Sequence, residues 1–199
     1  MKIYPYTSLD SNQHDSFYKF LVECSKETIQ PASKNMYDID WVNKNNTLLY
    51  ILNKTERFTE NGSFNILFEN DQVIACSGCY TSDFSSEVVI SGSRTWIKNN
   101  YRHKHLAREY LLPYEKQWAL NTNHKCVLLT FNDYNKNLIK IWKRKRLGET
   151  REKRQPKHFG YNGIHTLDFP VVINYTKQYV LYEKLVPNFE FDWNTIKYT

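Results

Sequence analysis

A run of basic side chains lies where a predicted strand passes into a predicted helix. Residues 99–107 read NNYRHKHLA, and no acidic residue follows until Glu109. The first N–H groups of a helix lack intrahelical partners, and the helix dipole adds partial positive charge at the same end. Full positive charges there repel one another unless an anion offsets them. The pattern therefore predicts a phosphate-binding junction, with a poorly capped surface turn as the alternative.

The order of strands and helices around this junction predicts a mixed sheet with helices on its faces. Alternating apolar residues indicate strands, and Asn70-Asp71 joins two of them as a hairpin. The run CVLLTF lacks alternation, which indicates a strand covered on both faces. We predict strands at the N-terminus and at 64–69, 72–80, 87–97, 126–131, 164–173 and 178–185, with helices from Asp10 or Ser11 to Pro31, more weakly at 36–44, and at 106–120 and 135–146.

Two residues predict distortions within these elements. Gly92 lies inside the strand predicted at 87–97, where glycine indicates a bulge or a close backbone approach. Pro113 lies inside the helix at 106–120 and removes the hydrogen bond to the Glu109 carbonyl, so a kink is expected there.

Composition predicts one globular domain over residues 1–199, because 41% hydrophobic and 16% aromatic residues can fill a core. Without an N-terminal apolar run or a membrane-length apolar stretch, we expect a cytoplasmic protein. The net charge is +6, and residues 140–158 hold nine Lys or Arg against two Glu. That stretch is either a solvated helix face and loop or a surface for phosphate or an acidic partner.

The four cysteines include one Cys-x-x-Cys, Cys76 to Cys79, which could indicate zinc or redox chemistry. In a strand, side chains three residues apart point to opposite faces and cannot share a metal. Buried free thiols are therefore expected. The pair His103 and His105 lacks a third ligand nearby in sequence, so no metal is expected.

The junction resembles the pyrophosphate loop of the GCN5-related N-acetyltransferases (GNAT). The spacing Arg102-x-x-His105-x-Ala107 resembles the Arg/Gln-x-x-Gly-x-Gly/Ala pattern of that family, directly after a strand and opening a helix. A second block, from Asn135 to Trp142, keeps the spacing of the family's Asn-x-x-Ala-x-x-Leu-Tyr. The resemblance implies a mixed, mostly antiparallel central sheet of six to seven strands flanked by about four helices.

The resemblance also implies acetyl-CoA, or another acyl-CoA, as co-substrate and direct transfer of the acyl group to a primary amine. The pantetheine would lie against a splayed strand and the pyrophosphate on loop amides, while the side chains of Asn132 and Asn135 would bind cofactor amides; helix capping is the alternative for Asn135. The implied cofactor-binding residues are Trp96, Ile97, Arg102, His103, Lys104, His105, Leu106, Ala107, Asn132 and Asn135.

The chain departs from the family pattern at two positions. His105 replaces a glycine that lets the backbone approach phosphate, and Trp142 replaces a tyrosine that protonates the departing thiolate. Indole donates hydrogen bonds but releases no proton near neutral pH. Glu87 and Tyr134 are the candidates for a general base, with a surface cap or core filler as the alternative role.

Two functions remain open from the sequence. The first is an acyl-CoA-dependent N-acyltransferase acting on a small-molecule or peptide amine. The second is a catalytically degenerate module of the same fold that uses residues 140–158 to bind nucleic acid or an acidic protein. Aromatic residues interleave with that basic stretch only at Trp142 and Phe159, fewer than a base-stacking platform needs.

Overall fold

The computed structural model describes residues 1–27, 58–133, 135, 138–140, 142–143 and 164–199. The chain begins with β1, Lys2–Pro5, followed by α1, Ser11–Glu27. Asp10 caps α1: its Oδ1 accepts from the Gln13 N–H at 2.9 Å, and its own N–H donates to Gln13 Oε1 at 3.0 Å. This reciprocal capping box confirms Asp10 as the start signal of the helix.

The strands after α1 are β2, Gly62–Glu69; β3, Gln72–Ser82; β4, Ser85–Ile97; β5, Cys126–Phe131; β6, His165–Thr166; β7, Val171–Ile173; and β8, Thr176–Lys184. Among the described residues, these strands and β1 form one mixed sheet of eight strands in the spatial order β1-β2-β3-β4-β5-β8-β6, with β7 pairing β8. β2 and β3 form the predicted hairpin, and these pairs are antiparallel except β4 with β5.

The tail departs from the prediction of a single strand at 164–173. That stretch is divided into β6 and β7, which pair with different parts of β8. Pro170 lies between them, and proline has no N–H to donate to a ladder. The sheet therefore has one strand more than the upper end of the predicted six to seven.

The helix after β4 is irregular at its start. A π-helical segment, Ala107–Leu111, passes directly into α2, Leu112–Asn121, with Pro113 in the first turn of α2. A wider turn before the proline accommodates the missing N–H and the ring. The distortion predicted at Pro113 thus takes the form of a π segment. Residues 138–140 and 142–143 are also helical.

The two faces of the sheet carry separate apolar clusters. Phe17 and Phe20 of α1 pack on the face that holds Cys76, while Ala119 of α2 packs on the face that holds Cys79. The cysteines of the CSGC sequence are thus buried free thiols on opposite faces, as predicted. In the parts of the chain that are described, no group of three or more His, Cys, Asp or Glu could hold a metal ion.

Several predictions fall outside the described residues: the weak helix at 36–44, the end of the first helix at Pro31, the Cys24 side chain, Tyr134, and residues 144–158 of the basic stretch. No helix within the described ranges is long and apolar enough to cross a membrane.

Candidate active site at the β4–β5 fork

β4 and β5 are paired over only part of their lengths. The parallel ladder joins Val88 to Cys126 and ends where Ser91 pairs with Leu129. Beyond it, β4 continues along β3 as far as Ile97, whereas β5 continues along β8. We call the opening between residues 92–97 of β4 and residues 130–131 of β5 the fork. An extended ligand could lie along the β4 edge that β5 leaves unpaired.

Gly92 marks the point at which β4 leaves β5. Its φ of +69° is in the left-handed region, and a Cβ built there would lie 2.5 Å from Cδ1 of Leu129. Only glycine satisfies both conditions without strain. The register between β3 and β4 also shifts on either side of the pair Gly78–Ser93, next to Gly92. The irregularity predicted at Gly92 therefore coincides with the start of the fork.

A buried acid of α2 binds the same point. Oε2 of Glu115 accepts the Ser91 hydroxyl at 2.5 Å and the Gly92 N–H at 2.7 Å. The Glu115 side chain is fully buried under the sheet, and its Oε1 is buried without a hydrogen-bond partner among the described residues. Burial raises the pKa of Glu115 to about 7, although nearby hydroxyl and amide donors oppose the rise.

The hydroxyl groups of Ser77 in β3 and Thr95 in β4 extend this polar cluster. The hydroxyl groups of Ser77 and Thr95 are 2.8 Å apart, and Thr95 donates to the Gly92 carbonyl at 2.8 Å. Ser77 also adjoins the Glu115 carboxyl. Gly92 is therefore bound through its N–H by Glu115 and through its carbonyl by Thr95.

The side chains of the last two residues of β4 pack against different apolar clusters. Trp96, opposite Cys76, packs against the α1-side cluster, and Ile97, opposite Ala75, packs against the cluster that includes Leu106. Both side chains are half-buried. The structure thus places these two predicted residues along the fork, with the strand backbone between them.

The loop after β4 is anchored at its first residue. The Lys98 N–H donates to the Ile74 carbonyl at 2.9 Å, and Lys98 Nζ lies 2.7 Å from Glu23 Oε2 of α1. A short 3₁₀ turn, Asn99–Tyr101, follows. Arg102 folds back so that its Nε donates to the Ile97 carbonyl at 3.2 Å. The loop therefore begins at a fixed position next to the open end of β4.

The loop brings the predicted basic residues to the start of the π segment. Arg102, His103, Lys104 and His105 are exposed, whereas Leu106 is buried in the core. Lys104 Nζ lies 4.4 Å from the centre of the Tyr101 ring, and the Tyr101 hydroxyl donates to Glu69 Oε2 at 2.5 Å. That hydrogen bond to a carboxylate raises the pKa of Tyr101.

Two histidines of the loop have left-handed backbones. φ is +67° at His103 and +58° at His105. His105 occupies the position where the family pattern has glycine, so the backbone conformation keeps the form that glycine would take. Such a conformation is disfavoured for a residue with a Cβ.

Glu87 and the two asparagines are placed less favourably. Glu87 lies at the closed end of the β4–β5 ladder, forms an ion pair with Lys125 and does not line the fork. Asn132 is exposed just after β5, and Asn135 Oδ1 accepts the Leu138 N–H at 3.2 Å, so Asn135 caps the following helical residues. Asn135 therefore has the alternative role that the sequence allowed, which is helix capping.

Trp142 belongs to the core on the α2 side. Its exposed fraction is 4%, and its ring meets that of Tyr179 edge-on at a centroid distance of 4.9 Å. The position that resembles the family's proton donor is therefore filled by an apolar contact.

Glu115 is the site residue that the sequence interpretation missed. It lies on the buried face of the helix with Leu111, Leu112 and Ala119. An acid on an apolar helix stripe is rarely left without a partner. An acid in this apolar helix pattern is therefore the sequence signal that could have identified Glu115 as a site residue.

Comparison with solved structures identifies the architecture. The PaiA N-acetyltransferase of Thermoplasma acidophilum, solved with coenzyme A, has a TM-score of 0.58 at 14% identity, over 92% of this chain and 99% of that chain. YncA of Salmonella typhimurium, solved with its cofactor acetyl-CoA, has a TM-score of 0.57 at 13% identity, over 96% and 98%. Ribosomal-protein-alanine N-acetyltransferase of Brucella melitensis has a TM-score of 0.55 at 12% identity, over 93% and 100%.

No protein-family model matches the sequence, and no curated protein matches it significantly. The structural similarity, in contrast, extends over nearly the whole of each solved chain. The chain therefore has the fold of the GCN5-related N-acetyltransferases, with its sequence far diverged from these solved examples.

Proposed function

We propose that the chain is an acyl-CoA-dependent N-acyltransferase that transfers an acyl group directly to a primary amine. The observation that carries the proposal is the position of the exposed basic loop, 102–105, directly after the open end of β4. An extended thioester with a diphosphate at one end needs an unpaired strand edge for its chain and positive charge next to that edge for its diphosphate. Structural neighbours solved with coenzyme A or acetyl-CoA support the choice of ligand.

The described residues fit such a ligand in three respects. β4 from Gly92 to Ile97 has an edge that β5 does not pair, so its backbone groups can bind the amides of a pantetheine. The helix that starts at Leu106 directs its first N–H groups toward the exposed loop. Arg102 and Lys104 add positive charge for a diphosphate, and left-handed His103 and His105 turn the loop around it.

In this proposal the fork contributes to the reaction mainly by holding the acyl group and the amine next to each other. The amine nitrogen forms a bond to the acyl carbon, the carbon–sulfur bond breaks, the nitrogen loses a proton and the thiolate gains one. Held in a productive geometry, two reactants gain roughly 7–11 kcal/mol over their bimolecular encounter. Burial of Trp142 leaves it unable to supply the proton to sulfur, so we assign no side chain to that role.

Thermal-shift titration with acetyl-CoA tests the proposal. Binding at about 100 times Kd stabilises the folded chain by roughly 2.7 kcal/mol. We expect Arg102→Ala to weaken acetyl-CoA binding about 10-fold, the loss of one charge-assisted contact. The control is Lys153→Ala with Arg154→Ala in the basic stretch, which should leave Kd within about 2-fold. Equal losses from both variants, or no shift with any acyl-CoA, would contradict the proposal.

The buried Trp142 favours one alternative, a module that binds acyl-CoA without turnover. A panel of primary amines separates the two functions, because the enzyme releases free thiol with at least one amine and the module with none. If the basic stretch 140–158 binds nucleic acid, affinity for an oligonucleotide falls steeply with salt. That result would favour the binding module over a small-molecule enzyme.

A further inference from the structure

The divergence of β4 from β5 requires a new partner for the Gly92 N–H. The β4–β5 ladder ends at the pair Ser91–Leu129, so it does not extend to Gly92. Instead the Gly92 N–H donates to Glu115 Oε2 at 2.7 Å, next to the Ser91 hydroxyl at 2.5 Å. The carboxyl group of α2 thus takes the place of a neighbouring strand at the residue where the fork opens.

The hydroxyl hydrogens of Thr95 and Ser77 indicate whether the protonated or the ionised Glu115 completes this cluster of hydrogen bonds. Thr95 uses its only hydroxyl hydrogen on the Gly92 carbonyl, so in the 2.8 Å contact with Ser77 it is the acceptor. The single hydroxyl hydrogen of Ser77 is therefore committed to Thr95. With that hydrogen on Thr95, Ser77 can only accept from the adjoining Glu115, which requires a hydrogen on the carboxyl. A Ser77 hydrogen turned to Glu115 instead lowers the pKa of the carboxyl and belongs to its ionised form.

The unpartnered oxygen agrees with that count. Oε1 of Glu115 is buried and has no hydrogen-bond partner among the described residues. As an ionised oxygen it would carry charge in an apolar interior, whereas as a hydroxyl it can donate toward Ser77 after a small rotation. The neutral acid gives an unbroken chain from Glu115 through Ser77 and Thr95 to the Gly92 carbonyl.

We infer that Glu115 is a positioning residue for acyl-CoA, acting as a neutral carboxylic acid that accepts the Gly92 N–H and keeps Thr95 on the Gly92 carbonyl through Ser77, and so fixes the open end of β4. The inference rests on the proposed function, since the ligand that benefits is the pantetheine along β4. Loss of the acid's hydrogen turns Ser77 toward the carboxylate and releases Thr95 from the chain. Acyl-CoA affinity then falls as pH rises, without any contact between Glu115 and the ligand.

Other titratable groups lie near α2, and none of them is substituted in the variants that the test compares. Cys79 of β3 interacts with Glu115, and its burial raises the pKa of the thiol well above the ordinary value. On the β8 side, Lys116 Nζ lies 2.5 Å from Glu183 Oε1. His124, beyond the end of α2, is bound on both ring nitrogens by Thr81 and Thr122.

The experiment compares acetyl-CoA affinity of the native chain and Glu115→Gln from about pH 6 to about pH 8.5. Glutamine reproduces the neutral acid, because its oxygen accepts from Gly92 and its amide donates toward Ser77. The ratio of native Kd to variant Kd cancels the titration of the ligand and of the loop histidines. We expect that ratio to rise about 3- to 10-fold across the range, the effect of one hydrogen bond.

A ratio that stays constant while both proteins bind would overturn the role of Glu115 and leave the proposed function intact. Absence of acetyl-CoA binding by the native chain at every pH would overturn the proposed function itself. An infrared band of a protonated carboxyl that is present in the native chain near pH 6 and lost in Glu115→Gln supports the neutral acid without reference to ligand. Absence of that band overturns it.

Ser77→Ala provides a second variant if Glu115→Gln fails to fold. It breaks the chain to Thr95, so we expect native affinity at low pH to fall about 3- to 10-fold and the pH dependence to flatten. The matched control is Ser63→Ala, since Ser63 is a buried serine of β2 that donates to Asn65 Oδ1 at 2.6 Å. Equal changes in Ser77→Ala and Ser63→Ala would refute the inference.

Discussion

The left-handed backbone of His105 predicts that glycine at this position stabilises the protein. At φ +58°, a residue with a Cβ is disfavoured by about 1–2 kcal/mol relative to one without. Glycine also gains about 0.4–1 kcal/mol of conformational entropy in the unfolded chain, which opposes the benefit. The net expectation for His105→Gly is a rise of about 0.5–1 kcal/mol in the free energy of unfolding.

Thermal denaturation of the unliganded protein measures this change. For a chain of this length, the gain corresponds to an increase in Tm of about 1–4 °C. His105→Ala is the control, because it removes the imidazole but keeps the Cβ and with it the strain. We expect His105→Ala to leave Tm unchanged or lower, and acetyl-CoA affinity of His105→Gly to match or exceed the native value.

An equal rise in Tm for His105→Ala and His105→Gly would refute the reasoning, since the gain would then come from removing a side chain beside Arg102 and Lys104. A fall in Tm for His105→Gly would also refute it, because the imidazole would then contribute more than the backbone loses.

The other predictions concern the point where the fork opens. Gly92→Ala should destabilise the chain by about 1–3 kcal/mol, because its Cβ would lie 2.5 Å from Leu129 Cδ1 at a φ of +69°; a denaturation midpoint within error of native would contradict the overlap. The raised pKa of Glu115, about 7 against 4.5 when unfolded, predicts that its contribution to stability is fully present below pH 4.5 and lost as pH rises through 7, a change of roughly 3 kcal/mol. Urea denaturation across that window should show the loss in the native chain and not in Glu115→Gln, and parallel profiles would exclude Glu115 as its source.

Local signals predicted the elements that position the site. The Asn70-Asp71 turn gave the hairpin because both residues adopt positive φ, and the glycine inside β4 indicated the bulge that the backbone shows. CVLLTF was assigned to a strand covered on both faces because it has no polar face to present. Each of these depends on a few neighbouring residues, which is why the sequence sufficed.

Contacts between distant residues could not be predicted in the same way. Glu115 reaches Ser91 across 24 positions, and the hydrogen bond from Tyr101 to Glu69 spans 32. Both depend on how α2 and the loop pack on the sheet, information that no local pattern contains. Glu87 was considered because it begins a strand that enters the site, but only the β4–β5 register shows that it lies at the opposite end of the ladder.

Lys98 joins the loop to the sheet and to the helix on one of its faces, through a backbone hydrogen bond to β3 and an ion pair to α1. Anchoring of this kind means that the loop is already folded before an anion arrives. Association should then proceed in a single kinetic phase whose rate varies with ionic strength, because attraction between opposite charges, and no slow rearrangement of the chain, governs the encounter.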